Sequence, residues 1–404
     1  MKRSTRKLKL VEDELAIPSL GALIHDRVRK AIEQALEEEL TAALGATSYQ
    51  RTAARLGDRN GSKARTLTTQ VGPVELDVPR ATMRTPGGTS EWRPRLLPRY
   101  ARRVREVNEA IAGVYLSGVN TRRLRGALRP LLKAAPLSRS AVSRVVATLK
   151  GDLEAWKRRS LAKLDVAYLY LDAIALRVRT AGKVTSVPVL AAIVVLTDGH
   201  KQLVALELCG GESHAAWKGF LDDLVARGLK APKLCIVDGN AGLGGALALV
   251  WPGAPVQRCT VHKLRNLKSK APLHAHDELG DDYHRIVYAA TRAEARTEWD
   301  KFTRKWDKAC PAVVRSLEEA GDELLTFMAF PSSQWRSLRT TNVIERVNEE
   351  FRRRVKTQGS FPTEDSAMIL LFSLVASGQI VLRRLDGWED IVHVVSAPPA
   401  KLAA

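Results

Sequence analysis

The chain has 404 residues, enough for two or three domains with a sizeable buried core. Its 64 Lys+Arg against 44 Asp+Glu leave a formal charge of +20, a surplus suited to a polyanionic partner. No stretch approaches the roughly 18–20 apolar residues of a membrane span. The basic first residues lack a signal peptide's apolar run, and the scattered Cys209, Cys235, Cys259 and Cys310 do not make a disulfide framework.

In chain order, residues 11–45 carry helical periodicity with alternating charge and end at Gly45, which predicts a solvated helix pair or a packing element. Glycines then punctuate β-prone runs such as ARTLTTQVGPVELDVPR, predicting a small hairpin around residues 66–78. Residues 92–105 are dense in arginine: Arg93, Arg95, Arg99, Arg102, Arg103 and Arg105. A helical run, REVNEAIAGVYLSGVN, follows. The segment NTRRLRGALRPLLKAAPLSRSAVSRVVATLK then reads as helix, Pro-containing turn, Ser138 or Ser140 cap, and helix. This is the pattern of a helix-turn-helix, with Ser140, Ser143 and Arg144 near the start of the recognition helix. A plain helical hairpin with a basic face has the same pattern. Residues 1–160 are therefore predicted to be a mostly helical DNA-binding region, with Arg99, Arg102, Arg103, Arg122, Arg123, Ser140 and Arg144 as candidate contacts.

The texture changes at Val166. VAYLYLDAIALRV, KVTSVPVLAAIVVLT and QLVALELCG read as three antiparallel strands joined by tight turns. HAAWKGFLDDLVARG is an amphipathic helix, KLCIVDG a buried strand, NAGLGGALALVWPG a helix and APVQRCTV a last strand. Residues 263–335 read as a charged helical insertion. TTNVIERVNEEFRRRVKTQG is a helix capped by Thr340 or Thr341 with Glu345 in an early turn, and an apolar-faced helix follows it.

Three strands, helix, strand, helix, strand is the order of a ribonuclease-H-like α/β core, here predicted over residues 161–262 and completed by residues 336–404. In that topology strands one and four are neighbours, so Asp172 and Asp238 could converge, and Glu345 on a later helix could join them. Asp172 is unusual because an unpaired carboxylate inside an apolar strand is costly to bury. Asp238 alone also fits a turn, and Glu345 alone fits a helix start. Asp165, Asp198, Asp222, Asp223 and Glu349 are competing acids. Three such carboxylates can hold two Mg²⁺ or Mn²⁺ ions about 3.5–4 Å apart, an arrangement suited to phosphodiester chemistry.

YLDA, VDG, QRCTVHKLRN and RTTNVIERVNEEFRRRVKTQGSF resemble segments of bacterial insertion-sequence transposases of the Mutator-like family. So do DRNG, LDVPR, GVNTRRL, LSRSAVSR and GGESHAAWKGFLDDLVARGLK, in the same order from about residue 45 to residue 372. The resemblance implies an acidic-triad transposase in which Asp172, Asp238 and Glu345 are catalytic and metal-binding. It also implies cleavage at the element's ends, attack of the freed 3′-hydroxyl on another strand, and a homodimer or larger assembly. Double-stranded DNA is then the partner, as terminal inverted repeats and as target, in the bacterial cytoplasm at the nucleoid. A DNA-binding regulator or inactivated transposase, which binds terminal repeats without cutting, is the rival reading. A nuclease with no joining step is another.

Cys259 and His262 form a C-x-x-H pair that the family also carries. Zinc needs four ligands, and His274, His276 and Cys310 do not complete a standard spacing, so a hydrogen-bonded structural pair is expected instead. Asn348, Arg352 and Lys356 share the face of Glu345 and, with Lys263 and Arg265, are expected to meet DNA phosphates. Trp335 is either a stacking platform for an unpaired base or a packing residue.

Overall fold

The computed structural model describes residues 19–116, 124–132, 139–180, 183–356, 361 and 363–396. Helices and two separate sheets make it a mixed α/β protein, divided near Val145 into two compact units. Among the described residues no helix is long and apolar enough to cross a membrane.

In the first unit, α1 (Leu20–Leu44) starts where the Ser19 hydroxyl accepts the Ala22 N–H at 3.2 Å. It ends at Gly45, whose left-handed φ of 65° suits glycine. One helix thus occupies the described part of the stretch where a pair or packing element was expected, and residues 11–18 lie outside the described residues. Leu36, Leu40 and Leu44 recur every fourth residue and are buried. They face an antiparallel sheet of β1 (Gly57–Thr69), β2 (Gly72–Thr85) and β3 (Gly88–Glu91). Val74, Leu76 and Val78 alternate inward along β2 and pack with Leu36, Leu67 and Leu97. The hairpin expected at residues 66–78 is the closed end of this longer one.

The arginine-rich segment runs along β1, since the Thr68 N–H donates to the Arg102 carbonyl at 2.9 Å and the Val104 N–H to the Thr68 carbonyl at 3.0 Å. Next come α2 (Arg105–Leu116), the four-residue helices α3 (Leu124–Ala127) and α4 (Arg129–Leu132), and α5 (Arg139–Arg158), which begins in this unit. Within the expected helix-turn-helix, Arg122, Arg123 and the Ser138 cap lie outside the described residues, as does the Ser140 side chain.

The second unit is built on a five-stranded sheet. Its strands are β4 (Val166–Thr180), β5 (Lys183–Leu196), β6 (Lys201–Leu208), β7 (Leu234–Val237) and β8 (Val256–Arg258), in the spatial order β6-β5-β4-β7-β8. The first three are antiparallel, and β7 and β8 run parallel to β4. The connections from β6 to β7 and from β7 to β8 are α6 (His214–Ala226) and α7 (Ala241–Val250). Leu169 and Leu171 of β4 join Trp217, Phe220 and Leu243 from these helices in one core. Tyr168 and Tyr170 point to the opposite face by strand alternation and are equally buried. A strand covered on both faces needs no polar alternation, which is why β4 reads as a continuous apolar run.

After β8 the chain is helical: α8 (Thr260–Lys268), α9 (His276–Val287), α10 (Arg292–Ala309), α11 (Pro311–Ala320), the one-turn α12 (Trp335–Leu338), α13 (Asn342–Lys356), α14 (Glu364–Ala376) and α15 (Ile391–Ser396). The α14 start is closed by a reciprocal capping box between Thr363 and Ser366.

Candidate active site

Tyr170 of β4 lies opposite Ile236 of β7 in parallel register. Asp172 and Asp238 each stand two residues further on, Asp172 within β4 and Asp238 just past the end of β7. Alternation puts Asp172 on the face of Tyr168 and Tyr170, where α13 packs. There the Asn348 side-chain amide, 1% exposed, donates to Asp172 Oδ2 at 2.8 Å. The Ala173 N–H donates to Oδ1 at 2.9 Å. Glu345, three residues before Asn348, shares that helix face.

Several bonds anchor the chain that leads into α13. The Tyr168 hydroxyl donates to the Gln334 side chain and the Tyr170 hydroxyl donates to the Ser337 carbonyl at 3.0 Å. The Thr260 N–H and hydroxyl both donate to the Arg339 carbonyl, at 3.0 and 3.1 Å. Around Asp238, the Asn240 N–H donates to Oδ1 at 2.9 Å, and Gly239 has a φ of +94°. A side chain at Gly239 would lie 2.6 Å from the Arg258 guanidinium, which itself donates to the Gly239 carbonyl at 3.2 Å. Two of the glycines of NAGLGG, Gly242 and Gly245, have a related cause in His214. A Cβ at Gly242 would come within 2.9 Å of the His214 backbone, so glycine lets α7 approach the start of α6.

The electrostatics are those of crowded acids. Burial, and then the charge of Asp238, push the Asp172 carboxyl up to about 7, with Glu345 adding in the same direction. Burial first and Asp238 next also raise Glu212, a nearby acid whose carboxylate accepts from the Asn240 amide at 3.3 Å. The Glu345 carboxylate has partners of its own. Its Oε1 accepts from the Thr341 hydroxyl at 2.7 Å and lies 3.7 Å from His262 Nδ1. Among the described residues, the side chains whose ligating atoms all fall within 4.8 Å of one another are Cys259, His262 and Glu345, so the three carboxylates do not close on a single point. Burial alone would raise the Cys259 thiol, but hydrogen bonds with His262 and Thr341 outweigh it and hold the thiol below its ordinary value. The same bond from Cys259 leads the influences that raise His262.

The other sequence candidates divide sharply. Lys263 is 3% exposed, and its ammonium donates to the Ser316 carbonyl and to Glu319, each at 2.8 Å, so it is an internal ion pair and not a phosphate contact. Asn348 is turned inward onto Asp172 instead of outward to DNA. Trp335 is half-buried, donates to the Phe330 carbonyl at 2.7 Å and meets Phe327 edge-on at 5.5 Å, which are the contacts of a packing residue. Arg265 and Arg352 are exposed, and the Lys356 side chain lies outside the described residues. In the first unit Arg99 and Arg102 are exposed. Arg103 is lowered by burial and then by Arg144 and Arg102, which means that these guanidiniums gather in one region. His274, His276 and Cys310 do not join Cys259 and His262 among the described residues.

The orienting role of Asn348 and the nearness of Glu212 escape a reading of the sequence, because both depend on which helix or loop returns to the sheet. The one available signal was that Asn348 shares the face of Glu345.

A half-buried acid pair, Asp172 within one strand and Asp238 just past the end of its parallel neighbour, with a glutamate on a packed helix, defines an α/β protein whose candidate site is a carboxylate cluster. The chain matches the family model described as Transposase, Mutator family, over residues 1–380, and it belongs to that family. It is 36% identical over 351 residues to the transposase for insertion sequence element ISRM5 of Rhizobium meliloti, covering 87% of this chain and 86% of that protein. It is 34% identical over 353 residues to the transposase for IS406 of Burkholderia multivorans, covering 87% and 89%. To the transposase for IS256 in transposon Tn4001 of Staphylococcus aureus it is 30% identical over 361 residues, covering 88% of each.

Proposed function

We propose that this transposase cuts DNA at the ends of an insertion sequence and joins the freed 3′-hydroxyl to a target strand, using a ribonuclease-H-like core. The observation that carries the reading is the pairing of β4 with β7, which leaves Asp172 and Asp238 side by side two residues past their last paired neighbours. The sheet order, with three antiparallel strands followed by two parallel ones, supports the same core.

The residues fit a divalent cation. Asp172, Asp238 and Glu345 offer hard oxygen ligands, and the burial and mutual repulsion that raise Asp172 are what a cation would relieve. When bound, Mg²⁺ or Mn²⁺, as two ions, would polarise the phosphate and stabilise the attacking and leaving oxygens. The chain's own part is positional. Asn348 and the Ala173 N–H fix the two oxygens of Asp172, and the tyrosine bonds to Gln334 and Ser337 anchor the chain that leads into the helix of Glu345. DNA phosphates would be met by Arg99, Arg102, Arg103 and Arg144 in the first unit and by Arg265 and Arg352 in the second, which agrees with the +20 charge. Terminal repeats and target are the proposed double-stranded partners of an assembled homodimer or larger complex.

Asp172→Asn is expected to lower end cleavage on the order of a thousandfold, about 4 kcal/mol, while terminal-repeat binding persists. Cleavage by the purified variant at the wild-type rate would reject the triad. Wild-type protein that binds ends but never cuts with Mg²⁺ or Mn²⁺ would instead be a regulator. Cutting without joined product from pre-cut ends would mark a nuclease.

A further inference from the structure

Cys259, His262 and Glu345 make a donor set that magnesium chemistry does not explain: a thiol, an imidazole and a carboxylate, all within 4.8 Å. Mg²⁺ avoids sulfur, whereas a zinc-class ion binds all three, with ligand atoms about 3.3–3.7 Å apart in a tetrahedral shell. The His262 Nδ1 to Glu345 Oε1 separation is 3.7 Å, close to that spacing. The backbone fixes the positions. The Cys259 N–H donates to the Val237 carbonyl at 2.7 Å, continuing the β7–β8 pairing, and the Thr341 N–H donates to Cys259 Sγ at 3.4 Å. The Thr341 hydroxyl lies 3.3 Å from His262 Nδ1 and donates to Glu345 at 2.7 Å, bridging two members of the set. Cys259 is sealed, but the side chains of His262 and Glu345 are 27% and 23% exposed, so a cation and one water could enter from their side.

We propose that Cys259, His262 and Glu345 bind a thiophilic divalent cation of the zinc class, and that a cation held there keeps Glu345 from the Asp172–Asp238 pair and so inhibits the enzyme. Binding releases the thiol proton to solvent as the sulfur becomes a ligand. The binding half stands on the cluster alone, while the inhibitory half rests on Glu345 belonging to the proposed triad.

The test uses the full chain with Cys209→Ser and Cys310→Ser, which removes the two partly exposed thiols. Cys235 remains but is closed inside the sheet core. Cd²⁺ is the probe, read by its ultraviolet thiolate band, with no DNA present. The band is expected to saturate near about one equivalent, to be displaced by Zn²⁺, and to be lost with His262→Asn and weakened at least about tenfold with Glu345→Gln. Circular dichroism checks that each variant is folded, and either variant suffices if the other is not. Absence of a band, or its survival in Cys259→Ser, would overturn the site.

Zn²⁺ is further expected to inhibit Mg²⁺-dependent end cleavage by the wild type, and to inhibit Cys259→Ser far less relative to that variant's own zinc-free rate. Zn²⁺ binding without inhibition would overturn the inhibitory half. A chain that binds Cd²⁺ as described but never cuts DNA would refute the proposed function and leave the binding site standing.

Discussion

Asn348 donates one bond to Asp172, while its own Oδ1, buried, has no hydrogen-bond partner among the described residues. An amide fixed on one side and open on the other is suited to orienting a carboxylate and to taking a water beside it. Replacing it with alanine should raise the Mg²⁺ concentration for half-maximal cleavage by about 10–100-fold, the usual cost of losing a partner that orients a ligand. An unchanged Mg²⁺ dependence would show that Asp172 needs no such support. Gly239 makes a second prediction at this scale. Its φ of +94° and the 2.6 Å approach to Arg258 mean that Gly239→Ala should cost about 1–3 kcal/mol in thermal or urea unfolding. From the sequence, VDG was only a strand end with a turn glycine. The need for that glycine comes from an arginine 19 positions later in the chain.

The elements of the second unit were largely legible. Apolar runs with tight turns gave β4, β5 and β6, and alternation with helices gave β7 and β8, because strand and helix periodicities are local properties. What periodicity could not give was the docking of the chain that leads into α13. Tyr168 and Tyr170 hold it, and they read simply as strand residues until Gln334 and Ser337 meet their hydroxyls. Tyr168→Phe should therefore lower stability by about 1–2 kcal/mol, measured by urea unfolding, since among the described residues the Gln334 side chain keeps only its bond to the Gly387 carbonyl at 2.9 Å. A change below a few tenths would show that the Gln334 side chain finds another partner. The basic segment of residues 92–105 was legible as charge but not as structure, since its attachment to β1 is made by the Arg65 guanidinium, which donates to the Pro98 and Ala101 carbonyls at 2.6 and 2.5 Å, and by backbone groups that any sequence carries.

At the scale of the molecule, charge and crowding set the response to solution conditions. In metal-free protein the folded state holds the Asp172 proton more tightly than the unfolded chain, because its carboxyl is raised from 3.8 to about 7. That contribution to stability is complete below the lower value and is lost as pH climbs through the upper one. Mg²⁺ should therefore raise the melting temperature more at pH 8 than at pH 5, a difference that Asp172→Asn should remove. The +20 charge implies that terminal-repeat binding weakens steeply with salt. Removing Arg102 should flatten the log–log slope by about one, and a slope that does not move would exclude it as a phosphate contact. The sequence by itself determined the strand order, the polyanion-directed charge and the family, because each is written in local pattern or in motifs kept in order. Only the tertiary structure decided that Asn348 serves Asp172, that Lys263 is an internal ion pair, and that Glu345 faces Cys259 and His262. Each of those facts is a contact between segments distant in the chain, and local spacing carries no record of which segments the buried core will bring together.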